Sequence, residues 1–415
     1  MFMLMKRIVK RSLGMGIGLL AVGFLLAGCG SAKKEVTLWN PFTGKDGEYF
    51  QKIVDSYNET DPEYTIKNVT VPEMYTKINT VMNSKKDKDV PDLTVMHVER
   101  VELFQSQGVI DPMTDVIKGQ KNLNEDNYIA QAWDSGEVDG TRYTIPLDVH
   151  SSPVFYNKDL LEKYGPNVLD DEVITVQEIE EVTEKAKKDN IITYPVNLES
   201  WTSLSFTTEL GGSIEKDGMP NLNTPEMKKA IETWKHFVDI GACQEDGDDP
   251  VQLFQSGQAV FFQDGTWGIA GHKEIKDLNW GITNTPAFSP DKISNWTSSH
   301  QFGLLKKERS PEVIEAIGAF LEHVRKNSEI WAESGQNPAS RVIFEDEGYS
   351  KYPQSYLVSN EKELDSLKIY NFKNNGITLD ALGTYVRDMI YGRIEIDKGL
   401  EDAQKQAEDK LKEGI

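Results

Sequence analysis

Glu35-Val36-Thr37-Leu38-Trp39 reads as a β-strand, and the alternation of helix and strand patterns after it decides the fold. Phe50, Ile53, Val54 and Tyr57 recur at helical spacing, and residues 64–71 return to a strand pattern. Met74, Ile78, Val81 and Met82 mark the next helix, and residues 92–98 a buried strand. Such alternation implies a mostly parallel sheet with helices on both faces. Ligands of these sheets sit at the carboxyl ends of the strands. That places Trp39-Asn40-Pro41-Phe42 and Met96-His97 beside an expected cleft.

Outward from this stretch, residues 144–149 form another strand, and Phe155 begins a new compositional block. Helical patterns run over 175–188, 225–240 and 311–326. In the second of these, Met227, Ala230, Ile231, Trp234 and Phe237 share one face, which makes Trp234 a core residue. Residues 379–413 are helical and increasingly charged, with a break at Gly392. Neither an internal repeat nor a low-complexity linker interrupts the chain. The roughly 390 residues beyond the leader exceed one compact core, so two lobes joined by short crossings are expected. With 38% hydrophobic residues and eight Trp, global disorder is excluded.

Residues 1–28 read as an export signal. Lys6, Arg7, Lys10 and Arg11 form a basic start, an apolar Gly-punctuated stretch comes next, and Leu26-Ala27-Gly28-Cys29 resembles the lipobox of bacterial lipoproteins. Small residues at 27 and 28 let a signal peptidase reach the backbone, and the Cys29 thiol would carry the lipid. The alternative, an uncleaved spanning helix, needs about 20 apolar residues, more than this stretch supplies. Residues 29–34 are then a lipid-anchored linker, and the body lies on the extracytoplasmic face of the cell membrane. Gly30 follows Cys29, in place of the Asp linked with inner-membrane retention in some Gram-negative bacteria, which suits a Gram-positive surface.

The leader holds four of the 45 Lys and Arg and none of the 67 Asp and Glu, so the formal charge of −22 becomes −26 without it. A body this acidic excludes nucleic acid as partner and disfavours anionic solutes. Cys243 is the only cysteine besides Cys29, so no intramolecular disulfide or thiolate metal site is expected. A buried inert thiol and an unpaired reactive one are both compatible with its position.

No catalytic constellation is present: neither a zinc-binding His-Glu-x-x-His, a phosphate-cradling glycine loop, nor a Gly-x-Ser-x-Gly elbow. Six His are scattered without metal spacing, so no metal is expected. Asp246, Asp248 and Asp249 lack the calcium-loop spacing and read as an acidic turn with a carboxylate capping the helix around Leu253. The chain is therefore expected to be a cofactor-free binding protein and not an enzyme.

Several segments in order resemble the extracellular solute-binding family of carbohydrate ABC transporters, which includes maltose-binding protein. Trp39-Asn40-Pro41-Phe42-Thr43-Gly44 is similar to the first strand and loop of one oligosaccharide-binding branch. Tyr143-Thr144-Ile145-Pro146-Leu147-Asp148-Val149-His150, with Phe155-Tyr156-Asn157-Lys158-Asp159-Leu160, resembles the crossover between lobes. Gly211-Gly212 and the 225–241 helix match the middle region. Ser256 to Phe262 and Gly265-Thr266-Trp267 resemble a Gly-x-Ala-Ala-Met … Gly-x-Trp segment, with Val260 and Phe261 in place of Ala-Met. Gln336-Asn337-Pro338-Ala339 resembles the return crossing, although Asn337 stands where one hinge pattern has Leu or Ile.

The resemblance implies an α/β periplasmic-binding-protein-like fold, each lobe a mixed sheet flanked by helices. Lobe 1 would hold residues 35–146 and 297–337, and lobe 2 residues 147–296 and 338–415. It implies a monomer that takes an oligosaccharide between the lobes and delivers it to ABC permease subunits. Sugars need aromatic platforms and bidentate polar groups. Trp39, Trp201, Trp267 and Trp296 lie in polar loops and are candidates, whereas Trp133, Trp234, Trp280 and Trp331 read as core. Asn40, Phe42 and Asp264 join them as candidates. Asp148 is either a sugar-binding carboxylate or a hinge residue, with ligand contact the favoured role. His97 and His150 are either ligand contacts or structural histidines, and Arg341 binds sugar or braces the hinge. A protein for a non-sugar solute such as a polyamine, a glycan-active enzyme and a surface adhesin are the alternatives.

Overall fold

β1 (Lys34–Asn40), β2 (Tyr64–Thr70) and β3 (Leu93–His97) lie side by side and parallel, with Val36 opposite Ile66 and Leu38 opposite Leu93. This computed structural model describes residues 33–84, 86–345 and 347–413. Cys29 and its proposed lipid lie outside the described residues. The two-residue period of β1 turns Val36 and Leu38 toward Phe50, Ile53, Val54 and Tyr57 of α1 (Lys45–Asn58). Trp39 points to the other face, where it packs with Met74, Ile78 and Met96.

The sheet is less parallel than expected. His300–Leu305 runs antiparallel to β3 and pairs His300 with His97, because the chain re-enters this sheet from the opposite end after building the second half. The single strand expected over 144–149 is two. Thr144–Pro146 stays in the first sheet, Leu147 breaks the run, and Asp148–Ser151 begins another sheet. That sheet has the order Asn337–Pro338, Asp148–Ser151, Asn295–Ser298, Leu367–Lys368, and it gathers the segments that pass between the two halves.

Two large apolar cores flank this crossing sheet. The first is built around β1, β3, Phe302, Phe320 and Trp331. The second is built around Trp234, Phe237, Phe261 and the C-terminal helices, with Tyr194 stacked 5.0 Å from Trp234. Residues after 338, expected in the second lobe, divide. Ala339, Ile343, Tyr349, Val358 and Leu367 pack in the first core, and the second regains the chain at Phe372.

Helix boundaries reflect local chemistry. Thr175 and Glu178 form a reciprocal capping box for Val176–Ala186. Thr224 and Ser310 cap Pro225–Asp239 and Pro311–Lys326, each with Pro in its first turn. Gly392, at φ +68°, separates Asn375–Ile390 from Ile396–Glu413. Trp133, Trp234 and Trp331 are buried, and Trp280 packs half-buried on a smaller core. Asp249 caps the Pro250–Gln255 helix and Asp246 pairs with Arg387 and Arg393, so the acidic turn has structural partners. Among the described residues, no helix is long and apolar enough to cross a membrane.

Cys243 is buried, and burial pushes its thiol up from the ordinary value. A thiol reagent should leave Cys243 unlabelled in the native protein and label it once denaturant unfolds the chain. Labelling under native conditions would place the thiol at the surface.

Candidate functional site

The loop leaving β1 is shaped by its own polar groups. Asn40 Oδ1 accepts the Phe42 N–H at 2.9 Å, while its amide donates to Asn68 Oδ1 at 2.6 Å. The Phe42 ring then sits 4.8 Å from His300 and 5.0 Å from Trp331. Gly47 lets the chain turn tightly here, since a Cβ there would lie 2.7 Å from the Phe42 carbonyl oxygen. Asp46 is held by the Gly47 N–H at 2.9 Å, and its carboxyl is pushed up chiefly by burial, with His300 pulling it back.

Asp148 occupies the centre of the crossing sheet and is fully buried. Its carboxylate accepts from His150 Nδ1 at 3.0 Å, the His300 backbone N–H at 2.9 Å, His300 Nδ1 at 2.8 Å and Trp331 Nε1 at 2.9 Å. Burial acts to raise this carboxyl. The two imidazoles and their hydrogen bonds outweigh it and hold Asp148 well below the usual carboxylate range. Burial also works against protonation of His300, but Asp148 prevails and the His300 value is raised. His97 and His150 are lowered, first by burial and then by the other imidazoles.

The result is a cavity of about 300 Å³ lined by Pro41, Phe42, Thr43, Gly44, Asp46, His97, His150, Trp201, Trp267, His300 and Gln336. Trp201 comes from the Glu199–Glu209 helix and Trp267 from the turn after Phe261–Gln263, and the two half-buried rings meet edge to face at 5.4 Å. Gly265 is needed beside them, because a Cβ there would overlap the Trp267 ring.

Of the residues singled out from sequence, Phe42, His97, His150, Trp201 and Trp267 line this cavity, and the others do not. Trp39 is corrected to core by the strand period. Asn40 shapes the loop from beneath. Asp148, favoured as a sugar-binding carboxylate, does not line the cavity, and internal donors take both of its oxygens. Trp296 is buried and backs Trp201 at 4.0 Å between ring centroids. Asp264 bonds the Gly265 N–H at 2.8 Å beside His272. Arg341 is exposed in a 3₁₀ turn away from the cavity. The expectation that the histidines are scattered is also corrected, because strand pairing brings His97, His150 and His300 together.

Sequence reasoning missed His300, Asp46 and Gln336. His300 comes after the unbroken polar run Thr297-Ser298-Ser299 and precedes the apolar Phe302-Gly303-Leu304-Leu305, a pattern that flags a buried polar crossing. Gln336 accepts from Thr266 Oγ1 at 2.6 Å, and its buried Nε2 has no partner among the described residues.

Replacing Asp148 with Ala strands two imidazoles and an indole N–H in a buried site. Denaturant titration should show a loss of about 3–5 kcal/mol, the range for breaking a buried charged pair. A loss below about 1 kcal/mol, the scale of a surface pair, would contradict the central place given to this carboxylate.

Residues 52–344 match the family model described as bacterial extracellular solute-binding protein. The sn-glycerol-3-phosphate-binding periplasmic protein UgpB of Agrobacterium fabrum is 24% identical over 356 residues, 79% of each chain. The ABC substrate-binding protein Lmo0181 from Listeria monocytogenes, solved in complex with cycloalternan, superposes with a TM-score of 0.76 at 17% identity. It covers 92% of this chain and 99% of that one. Maltose-bound MalE3 of T. maritima gives 0.76 at 18%, covering 90% and 99%. The architecture is thus the two-lobed mixed α/β fold of these binding proteins. On the strength of the family match, the chain belongs to the bacterial extracellular solute-binding proteins.

Proposed function

We propose that this protein captures a neutral sugar, an oligosaccharide, between its lobes and delivers it to the permease of an ABC importer. The observation that carries the proposal is the pairing of Trp201 and Trp267 over a cavity whose lining, among the described residues, includes no Lys or Arg. Aromatic faces suit the C–H surfaces of a sugar ring. Gln336 Nε2 can donate to hydroxyls, and the Asp46 carboxylate can accept from them. A phosphate would call for the cationic partners this lining lacks, so the reading departs here from the glycerol phosphate in the name of UgpB. An adjoining groove of about 670 Å³ shares Phe42, Thr43 and Gly44 with the cavity and leaves room for further sugar units.

Walls from both cores and a crossing sheet of short strands support a hinge at Asp148–Ser151 and Asn295–Ser298, with closure stabilised by a ligand that touches both sides. The protein acts as a monomer without chemistry of its own. A lipid on Cys29 tethers it to the outer face of the membrane, in a Gram-positive setting, where proximity to the permease speeds delivery.

Calorimetry with maltose- and mannose-type oligosaccharides, sn-glycerol-3-phosphate and spermidine tests this. A neutral oligosaccharide should bind, Trp267→Ala should weaken it about 10- to 100-fold, about 1.4–2.7 kcal/mol, and Arg341→Ala should leave it unchanged. Binding of glycerol phosphate or spermidine alone would overturn the sugar reading.

A further inference from the structure

Three imidazoles meet where the lobes join. His97 ends β3, His150 lies in the first crossing strand, and His300 opens the strand that returns the chain to the first sheet. One ring nitrogen from each lies within 4.8 Å of the other two. Every Nδ1 is engaged from behind. Asp148 holds those of His150 and His300 through separate oxygens at 3.0 and 2.8 Å, and the Tyr75 hydroxyl holds that of His97 at 2.6 Å. The Tyr75 oxygen also accepts the His97 backbone N–H at 2.8 Å, which fixes the ring against β3. No Nε2 of the three has a hydrogen-bond partner among the described residues, and all three side chains line the cavity.

We propose that His97, His150 and His300 bind one divalent transition-metal ion of the zinc class through their Nε2 atoms, with the fourth position open to the cavity. The Asp148 carboxylate behind His150 and His300 is the arrangement that leaves Nε2 with its lone pair and orients it toward a metal, and the Tyr75 hydroxyl can accept the Nδ1 proton of His97 to the same effect. Zinc–nitrogen distances of about 2.0–2.1 Å set the ligand nitrogens about 3.3 Å apart in a tetrahedron, and rings that already bring a nitrogen each within 4.8 Å of the others are near enough to share one ion. Three N–H donors converging on one point would be a poor sugar site, because a hydroxyl oxygen offers only two lone pairs. Three lone pairs converging on a cation have no such mismatch. The Asp46 carboxylate in the same cavity and the acidic body both favour a cation. The ion would join β3 to the strands on either side of the hinge, so it would also brace the crossing. The inference shares the cavity with the sugar proposal but does not depend on it, and its test needs no sugar.

The chain, purified free of metal and of histidine tags, is titrated with Co²⁺ at about pH 8, above the ordinary imidazole range. One equivalent should produce the visible absorption of tetrahedral cobalt without sulfur charge transfer, and Zn²⁺ should displace it. His97→Ala and, separately, His300→Gln should each weaken Co²⁺ binding at least about tenfold. Zn²⁺ should raise the unfolding midpoint of the parent chain but not that of His97→Ala, which leaves the Asp148 contacts intact. Absence of a stoichiometric cobalt spectrum, or a spectrum that survives His97→Ala, would overturn the proposal. So would loss of sugar binding in His97→Ala when the parent chain gives no cobalt spectrum, since the ring would then be a sugar contact.

Discussion

The structure turns on one buried carboxylate. Asp148 is fully buried, and four N–H groups surround it, from His150, twice from His300, and from Trp331. An ion in this position is costly unless every lone pair is met, and here the donors come from segments far apart in sequence. The Ser299 hydroxyl adds a 2.6 Å bond to the Asp148 carbonyl oxygen. The first crossing strand is thus fixed to the second and to the Ser328–Glu333 helix that carries Trp331. That fixation sets the stacking of His150 on His300 at 4.2 Å and the seat of Phe42 between His300 and Trp331.

The cavity inherits its character from this arrangement. Its lining joins the imidazole group at the crossing, the β1 loop with Phe42 and Asp46, and the rings of Trp201 and Trp267. Buried Trp296 packs on Trp201, so the Trp201 ring is held by packing before any solute arrives. Because the walls belong to different cores, a solute that fills the space couples the lobes.

Much of the fold was legible, and the reasons are local. The periods of β1, α1, β2 and the Pro225–Asp239 helix are properties of short windows, and the capped helix starts at Thr175, Thr224 and Ser310 are read from adjacent residues. The loop position of Trp201 and Trp267 pointed correctly to the cavity. Trp39 was misplaced although its own strand period puts it opposite Leu38, on the face that α2 (Met74–Ser84) covers. The four donors about Asp148 could not be foreseen, because sequence does not reveal how many donors surround a carboxylate. The histidine group lay beyond reach for a similar reason. His97, His150 and His300 become neighbours only through the pairing of His97 with His300 and of His150 with Ser298, which depends on a strand that re-enters its sheet antiparallel.

The central claim is that a sugar closes the two lobes about the crossing sheet. Small-angle scattering, with and without a saturating oligosaccharide, tests it most directly. The account predicts a smaller radius of gyration when the sugar is bound, with Trp267→Ala needing about 10- to 100-fold more sugar to reach the same compaction. An unchanged radius in the parent chain, under conditions where the sugar is demonstrably bound, would contradict it.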